Sequence, residues 1–489
     1  MALTVRDKVA HLYRRFSFGG TLAEIDEGVS IGVDATIKKL VDYDSVPTNF
    51  NVHPYEFAWN EDEKLEAEPG TYRFRLWWIL AMGSTNRPLQ EKLALFWHSH
   101  FAVSEKKVEN GPMMLDYMQV LRNGANGTFS ELLKSIAKLP AMMKYLDMDR
   151  AFKGHPNENF AREVMELFTL GIGNYTETDV QEVSRALTGW GYIDTFYESG
   201  KNNTERLMAL YRDRRTASTF CLMPAMRDAE PKTILGQTKD FDGDQVLEML
   251  ANRPETAKFI CKKLWEFFAY DQPEAVVIEK LSSTFIKTKG NIKQVMMAIA
   301  TTPEFYSDKC VLKGYKSPAD FVVGTVRQMN LGTELLLVRG KEAHPTKPVN
   351  KILIDQIGAM AYYMFKQGLD ICYPEDVSGW KWGKNWISSS MMTSRMQYNG
   401  MMIWDSKGPW VATKTTQSMM AATAPATPEL AAERFKKIFD LNLSPKSDEI
   451  LVGIFKAQGA NCYQEPGKWA GVLYYCLKML SACPDMHIC

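Results

Sequence analysis

The chain has 489 residues, 58 Lys+Arg against 58 Asp+Glu, and is 45% hydrophobic. That length holds two or three domains and a large core, and the even charge balance excludes a protein built to coat nucleic acid. No segment reaches the roughly 20 apolar residues of a membrane span, and the N-terminus has no apolar signal core, so the chain as given is expected in the cytoplasm, or in the periplasm or outside if a signal was removed.

Residues 1–45 read as two short helices, 8–16 and 35–41. Arg14 and Arg15 end the first, where cations suit the negative end of the helix dipole. Residues 46–70 are rich in Pro, Asn and Glu and read as extended loop. Helices follow at 72–82 and from Pro88, a residue that loses nothing at a first helical position. The second runs into FWHSHF. On a continuing helix His98 and His100 point about 160–200° apart. If the helix ends near Trp97 or His98, the two imidazoles reach a common polar centre, and Glu91 shares a helical face with His98. His98, His100 and Glu91 are therefore the candidate metal ligands, with a divalent ion as the cofactor. The competing reading makes each histidine a core residue satisfied by a hydrogen bond. Further helices are expected at 113–122 and 129–146.

The stretch 157–191 is the most informative. Asn157 suits an N-cap, because its side-chain oxygen can accept a free N–H of the first turn. Phe160, Ala161, Val164, Met165, Leu167 and Phe168 share one side. Asn159, Arg162, Glu163 and Glu166 share the other, and Gly171 and Gly173 end the helix. A second helix is expected near Thr178, with Gln181 as its capping-box partner, and it carries Arg185. A polar stripe is usually a solvated face. Turned towards a cleft, two carboxylates one turn apart beside a guanidinium bind a metal, hold a substrate or move a proton. Asn159, Arg162, Glu163, Glu166 and Arg185 are the candidate catalytic residues.

Beyond it, KTILG (232–236) reads as a short strand. DFDGD (240–244) lacks the glycine and glutamate positions of a calcium loop, and Asp244 reads as an N-cap. Helices recur to residue 328, residues 331–350 read as loop, and another helix is expected at 353–367. YPEDVSGWKWGKNWI (373–387) sets tryptophans among glycines. Trp190, Trp380 and Trp386 are the candidate platform for a sugar ring or a base, against a plainer reading in which tryptophans pin the loop to the core. Residues 405–428 read as a linker, dividing a helical domain at 1–404 from a helical section at 429–489. The fold class expected is mainly α: a large multi-helix domain with at most a small β-hairpin near 195–236. The eight cysteines form no C-x-x-C pair, and Cys483 with Cys489 is the pair that an oxidising compartment could bridge.

ENFAREVMELFTLGIGNYTETDVQEVSRALTGW (158–190) resembles the signature of a bacterial family known as domain of unknown function 1800. HLYRRFSFG (11–19), LFWHSHFA (95–102), KTILGQTKDFDGDQVL (232–247), KSPADFVVGT (316–325) and YPEDVSGWKWGKNWI agree in order. The resemblance implies a helical bacterial protein with no settled activity and a sulfatase-like partner protein. It makes Arg14 or Arg15 a candidate for an internal ion pair. It also implies a His-Asp pair before KTILG, where this chain has Arg227-Asp228. Two functions stay open. One is an enzyme with a polar, metal-assisted site built from the 159–166 stripe and the H-x-H segment. The other is a non-catalytic scaffold, or a glycan- or partner-binding protein, whose charged network is structural.

Overall fold

The structure is a computed structural model that describes residues 3–58, 70–194, 218–339, 349, 351–401, 404–405, 408–409 and 411–489. Among these residues the chain is mainly α, with 23 α-helices. The strands form three two-stranded antiparallel pairs. Trp190–Asp194 pairs with Ser218–Leu222, Lys232–Ile234 with Gln237–Lys239, and Trp404–Asp405 with Gly408–Pro409. Ser218–Leu222 and Lys232–Ile234 fall within the stretch 195–236 where a hairpin was expected, of which residues 195–217 lie outside the described residues. No described helix is long and apolar enough to cross a membrane.

The Pro88–His100 helix is the axis of the molecule. Every one of its residues except Gln90 is buried, as happens to a helix wrapped on all sides. Its one carboxylate, Glu91, is held by Arg122 through two bonds of 2.7 and 2.6 Å and by the Trp78 indole N–H at 2.8 Å. A buried charge is tolerated when it is paired and hydrogen-bonded in this way.

Local chemistry sets most helix starts. Asn157 accepts the Phe160 N–H at 3.0 Å and caps the central helix. The next helix starts two residues earlier than expected. Thr176 accepts the Asp179 N–H at 3.2 Å and the Asp179 carboxylate accepts the Thr176 N–H at 2.9 Å, so the capping box is T-x-x-D. Asp242, not Asp244, caps the helix Gly243–Ala251, accepting from the Gln245 N–H at 2.8 Å.

Two stretches expected to be irregular are helical. Leu331–Arg339 forms a helix against Thr71–Ser84. Gly332 lies on the Gly83 carbonyl, an approach that any Cβ would prevent. Val411–Ala421 is a helix inside the stretch read as a linker. Ala412, Thr416 and Met420 are buried at i, i+4 spacing, and Thr416 Oγ1 accepts the Trp469 indole N–H at 3.0 Å. Small side chains hide that periodicity from a composition count.

The central helix changes pitch partway. Glu158–Glu163 is α, and Val164–Thr169 widens into a π turn, with the Leu170 N–H donating to the Met165 carbonyl at 2.8 Å. Such turns are rare and gather at functional sites. The 373–387 loop closes over the C-terminal end of the Pro88–His100 helix. Gly379 has φ of +78° and faces the Ser99 carbonyl so closely that a Cβ there would overlap it. Gly379→Ala is therefore expected to destabilise the protein by about 2 kcal/mol or more, measured as a lowered urea midpoint. An unchanged midpoint would mean that the loop is not clamped at this point.

Candidate functional site

The helix does not end at Trp97 or His98 but runs through His100, so the two imidazoles leave it on opposite sides. His98 Nε2 accepts the Cys372 N–H at 2.9 Å, which leaves the proton on Nδ1, 2.7 Å from the Tyr117 hydroxyl. That hydroxyl donates on to the Phe101 carbonyl at 2.9 Å. Burial brings the His98 pKa down to about 3, so the ring is neutral. His100 Nε2–H donates to the Phe168 carbonyl at 3.1 Å, an acceptor left free near the end of the π turn. His100 Nδ1 accepts from the Lys263 ammonium at 3.1 Å. Burial, then the Lys263 charge, holds the His100 pKa well below its ordinary value.

The metal set expected from His98, His100 and Glu91 is thus not assembled. Both nitrogens of His98 are engaged, Glu91 is committed to Arg122, and His100 faces away from both. Among the described residues no group of three or more His, Cys, Asp or Glu side chains is placed to hold a metal ion.

The 159–166 stripe is a half-solvated edge, and the bonds of His98 and His100 go to Tyr117, Cys372, the Phe168 carbonyl and Lys263 instead. Asn159 is exposed, and Arg162 makes a two-pronged pair with Glu177 at 2.8 and 2.7 Å. Glu166 accepts the Tyr175 hydroxyl at 2.6 Å. Arg185 pairs with Glu182 at 2.9 Å and with Asp228 at 2.8 Å. Glu163 is half-buried, and burial, then the charges of Glu166 and Asp376, raise its pKa. The stripe helix meets His100 through a backbone carbonyl, not through these side chains. At the place where the resemblance implies a His-Asp pair, Arg227 binds Asp240 and Asp228 binds Arg185.

His100 opens on a cavity of 210 Å³ between the end of its helix, the Pro254–Phe268 helix and the 373–387 loop. Phe96, Phe267, Trp380 and Trp382 wall it, and Ser99, Lys263, Glu266, Asp271 and Ser378 supply its polar groups. Ser99 Oγ accepts the Trp380 backbone N–H and the Trp382 indole N–H, each at 3.2 Å, which fixes both tryptophans. Trp382 stands edge-on to Phe267, with ring centroids 4.5 Å apart. Lys263 Nζ lies 4.8 Å from the centre of the Phe259 ring and forms no ion pair among the described residues. Burial lowers its pKa to about 8.

Of the three tryptophans singled out from the sequence, Trp380 lines this cavity. Trp386 is buried behind Trp382, centroids 5.8 Å apart, and Trp190 packs on Phe220 in the first hairpin. Lys263, Ser99, Glu266 and Asp271 were not singled out, and Trp382 stood out only as one of the tryptophans of the 373–387 loop. Lys263 carried a readable signal: it is a cation on the apolar stripe Thr256, Phe259, Ile260, Phe267 of its own helix.

These features define a mainly α protein with a lysine–histidine pair at an aromatic-walled cavity. The family model described as a protein of unknown function, DUF1800, matches residues 11–488, and the chain belongs to that family. No curated protein and no solved structure matches it.

Two outcomes follow from the charges. Glu163→Gln removes a half-buried charge beside two like charges and strands no cation, since Arg162 and Arg185 keep their partners. Its melting temperature at pH 7 should equal or exceed that of the parent, and a clear drop would contradict this geometry. His11, His98, His100 and His487 are all buried with depressed pKa values. Their neutral forms are fully compatible with the fold above the unfolded pKa of about 6.5. As pH falls towards the folded values the unfolded chain takes up protons that the native one refuses, at ~1.4 kcal/mol per histidine per pH unit. The raised carboxyls of Glu105, Glu163, Glu266 and Asp370 oppose this only in part. Acid unfolding followed by tryptophan fluorescence should have its midpoint between about pH 5 and 4. A fold persisting below about pH 3 would show that these rings are not neutral and buried.

Proposed function

We propose that the protein is an enzyme that carries out general acid–base chemistry on a small polar ring, of sugar type, in the cavity at the end of the Pro88–His100 helix. The observation that carries this reading is the Lys263–His100 pair. An ammonium in no ion pair among the described residues lies 3.1 Å from an imidazole nitrogen, in a cavity walled by aromatic rings, and the longer-range attraction of Glu266 only partly offsets its burial. A partly buried lysine without an ion pair is held at a cost in stability, which a role for its ammonium would explain. With a pKa of about 8, Lys263 holds both protonation states near neutral pH, which suits a group that gives and takes a proton. His100 is the positioning residue: the Phe168 carbonyl fixes its tautomer, and Nδ1 then holds the amine. The aromatic walls suit the flat apolar face of a sugar ring, and Glu266, Asp271 and Ser378 offer acceptors for its hydroxyls.

In this reading Glu91, His98, Arg162 and Arg185 are supports. The sulfatase-like partner implied by the family resemblance belongs to the same proposal, since a sulfatase-type protein would bring a sulfated, anionic version of the same ligand chemistry.

Pulse acetylation with acetic anhydride between about pH 6 and 11, read peptide by peptide by mass spectrometry, tests the proton carrier. Lys263 should label with a midpoint near 8, whereas an ordinary exposed lysine has its midpoint near ~10.4. An ordinary midpoint for Lys263 would remove this function. Lys263→Met should also melt about 1–2 °C higher at pH 7, because the folded protein there holds a proton less readily than the unfolded chain. That gain should fade as pH rises from 8 towards 10.5, where both states lose the charge.

A further inference from the structure

A second cavity, of 120 Å³, adjoins the first beyond the Phe267–Trp382 pair, and Glu266 and Asp271 line both. We infer that this second cavity is a subsite for an oxyanion, the sulfate, phosphate or carboxylate group of the ligand, with Arg15 as its main donor. The ligand is then an anionic sugar, hydroxylated where it passes the two carboxylates and charged at its far end. The word sugar rests on the function proposed above; the anion subsite stands on its own residues.

Arg14 and Arg15 are neighbours with opposite circumstances. Arg14 is chelated by Asp440 at 2.7 and 2.8 Å. Arg15 is 6% exposed and pairs with no carboxylate among the described residues. Its Nη2–H donates to the Cys310 carbonyl at 2.8 Å, its Nη1–H points to Cys489 Sγ at 3.6 Å, and its buried Nε has no partner. A guanidinium has five N–H donors arranged to fork an oxyanion, and here most of them are unspent. Burying such a charge without a counter-ion costs stability, so its retention points to a ligand.

The carboxylate that acts on Arg15 from a distance, Asp320, does not fill that place. Asp320 is held by Lys92 on one oxygen and accepts the Ser317 N–H and O–H at 3.1 and 2.8 Å on the other. Lys313 also lines the cavity, is exposed, and forms no ion pair among the described residues. Gly314 leaves the space: a Cβ there would overlap the Arg15 guanidinium. A single water needs only about 10–15 Å³, so the cavity has room for a tetrahedral anion.

The test is calorimetric titration of the full chain with sodium sulfate, sodium phosphate and sodium acetate, with ionic strength held constant by sodium chloride. At least one anion should bind saturably at one site. Binding should weaken about tenfold or more in Arg15→Gln and in Gly314→Ala, and stay unchanged in Lys263→Met. Gly314→Ala guards against misfolding of the first variant, since it only displaces the flexible end of Arg15. Preference for sulfate or phosphate identifies an ester, and equal binding of acetate identifies a sugar acid. Absence of saturable binding by all three anions would overturn the inference, as would binding indifferent to both Arg15→Gln and Gly314→Ala. If anion binding persists while Lys263 acetylates with an ordinary midpoint, the subsite survives and the proposed enzyme does not.

Discussion

Three consecutive side chains at the end of one buried helix hold the molecule together. His98, Ser99 and His100 point in different directions, and each ties down a different segment. His98 fastens the Tyr117 helix and the Cys372 backbone. Ser99 fastens the tryptophan loop. His100 fastens the π turn and, through Lys263, the Pro254–Phe268 helix. Because the helix is buried, these bonds form away from water, where a missing partner leaves a desolvated polar group. The cavity exists because the clasp sets its three walls at fixed separations.

Features set by near neighbours in the chain were legible in the sequence. The Asn157 cap, the left-handed glycines at 171 and 173 and the apolar side of the central helix depend on residues within one or two turns. The mainly α class follows from the same local patterns. The end of the Pro88–His100 helix was not legible, because its last turn is held by Cys372, Phe168 and Lys263, which lie far away in sequence. The direction of the 159–166 stripe was hidden for the same reason. A polar stripe has the same spacing whether it meets solvent or a cleft, and here Glu177, Tyr175 and Asp376 decide the matter from other elements. Lys263 was missed because a charge on an apolar stripe reads as an imperfection until its surroundings are known.

The charged residues divide by whether a partner is present. Glu91 with Arg122, Arg14 with Asp440 and Arg185 with Asp228 are closed pairs, and closed pairs shape a fold without offering a free group to a ligand. Lys263 and Arg15 lie on either side of the Phe267–Trp382 pair without such closure. Three cations without an ion pair among the described residues, Lys263, Arg15 and the exposed Lys313, therefore stand along one trough, a departure from local pairing at the place where function is expected.

The neutral, enclosed imidazoles also affect how the molecule behaves towards its own copies. Histidine is the side chain that ordinarily changes charge between pH 5 and 8, and here most of the seven are withdrawn from that role. With 58 cationic and 58 anionic residues, the net charge sits on a flat plateau near zero through the neutral range. On such a plateau electrostatic self-repulsion is weak. Colloidal dispersion then rests on how the opposite signs are interspersed over the surface, and it responds to dissolved salt more than to modest changes in acidity.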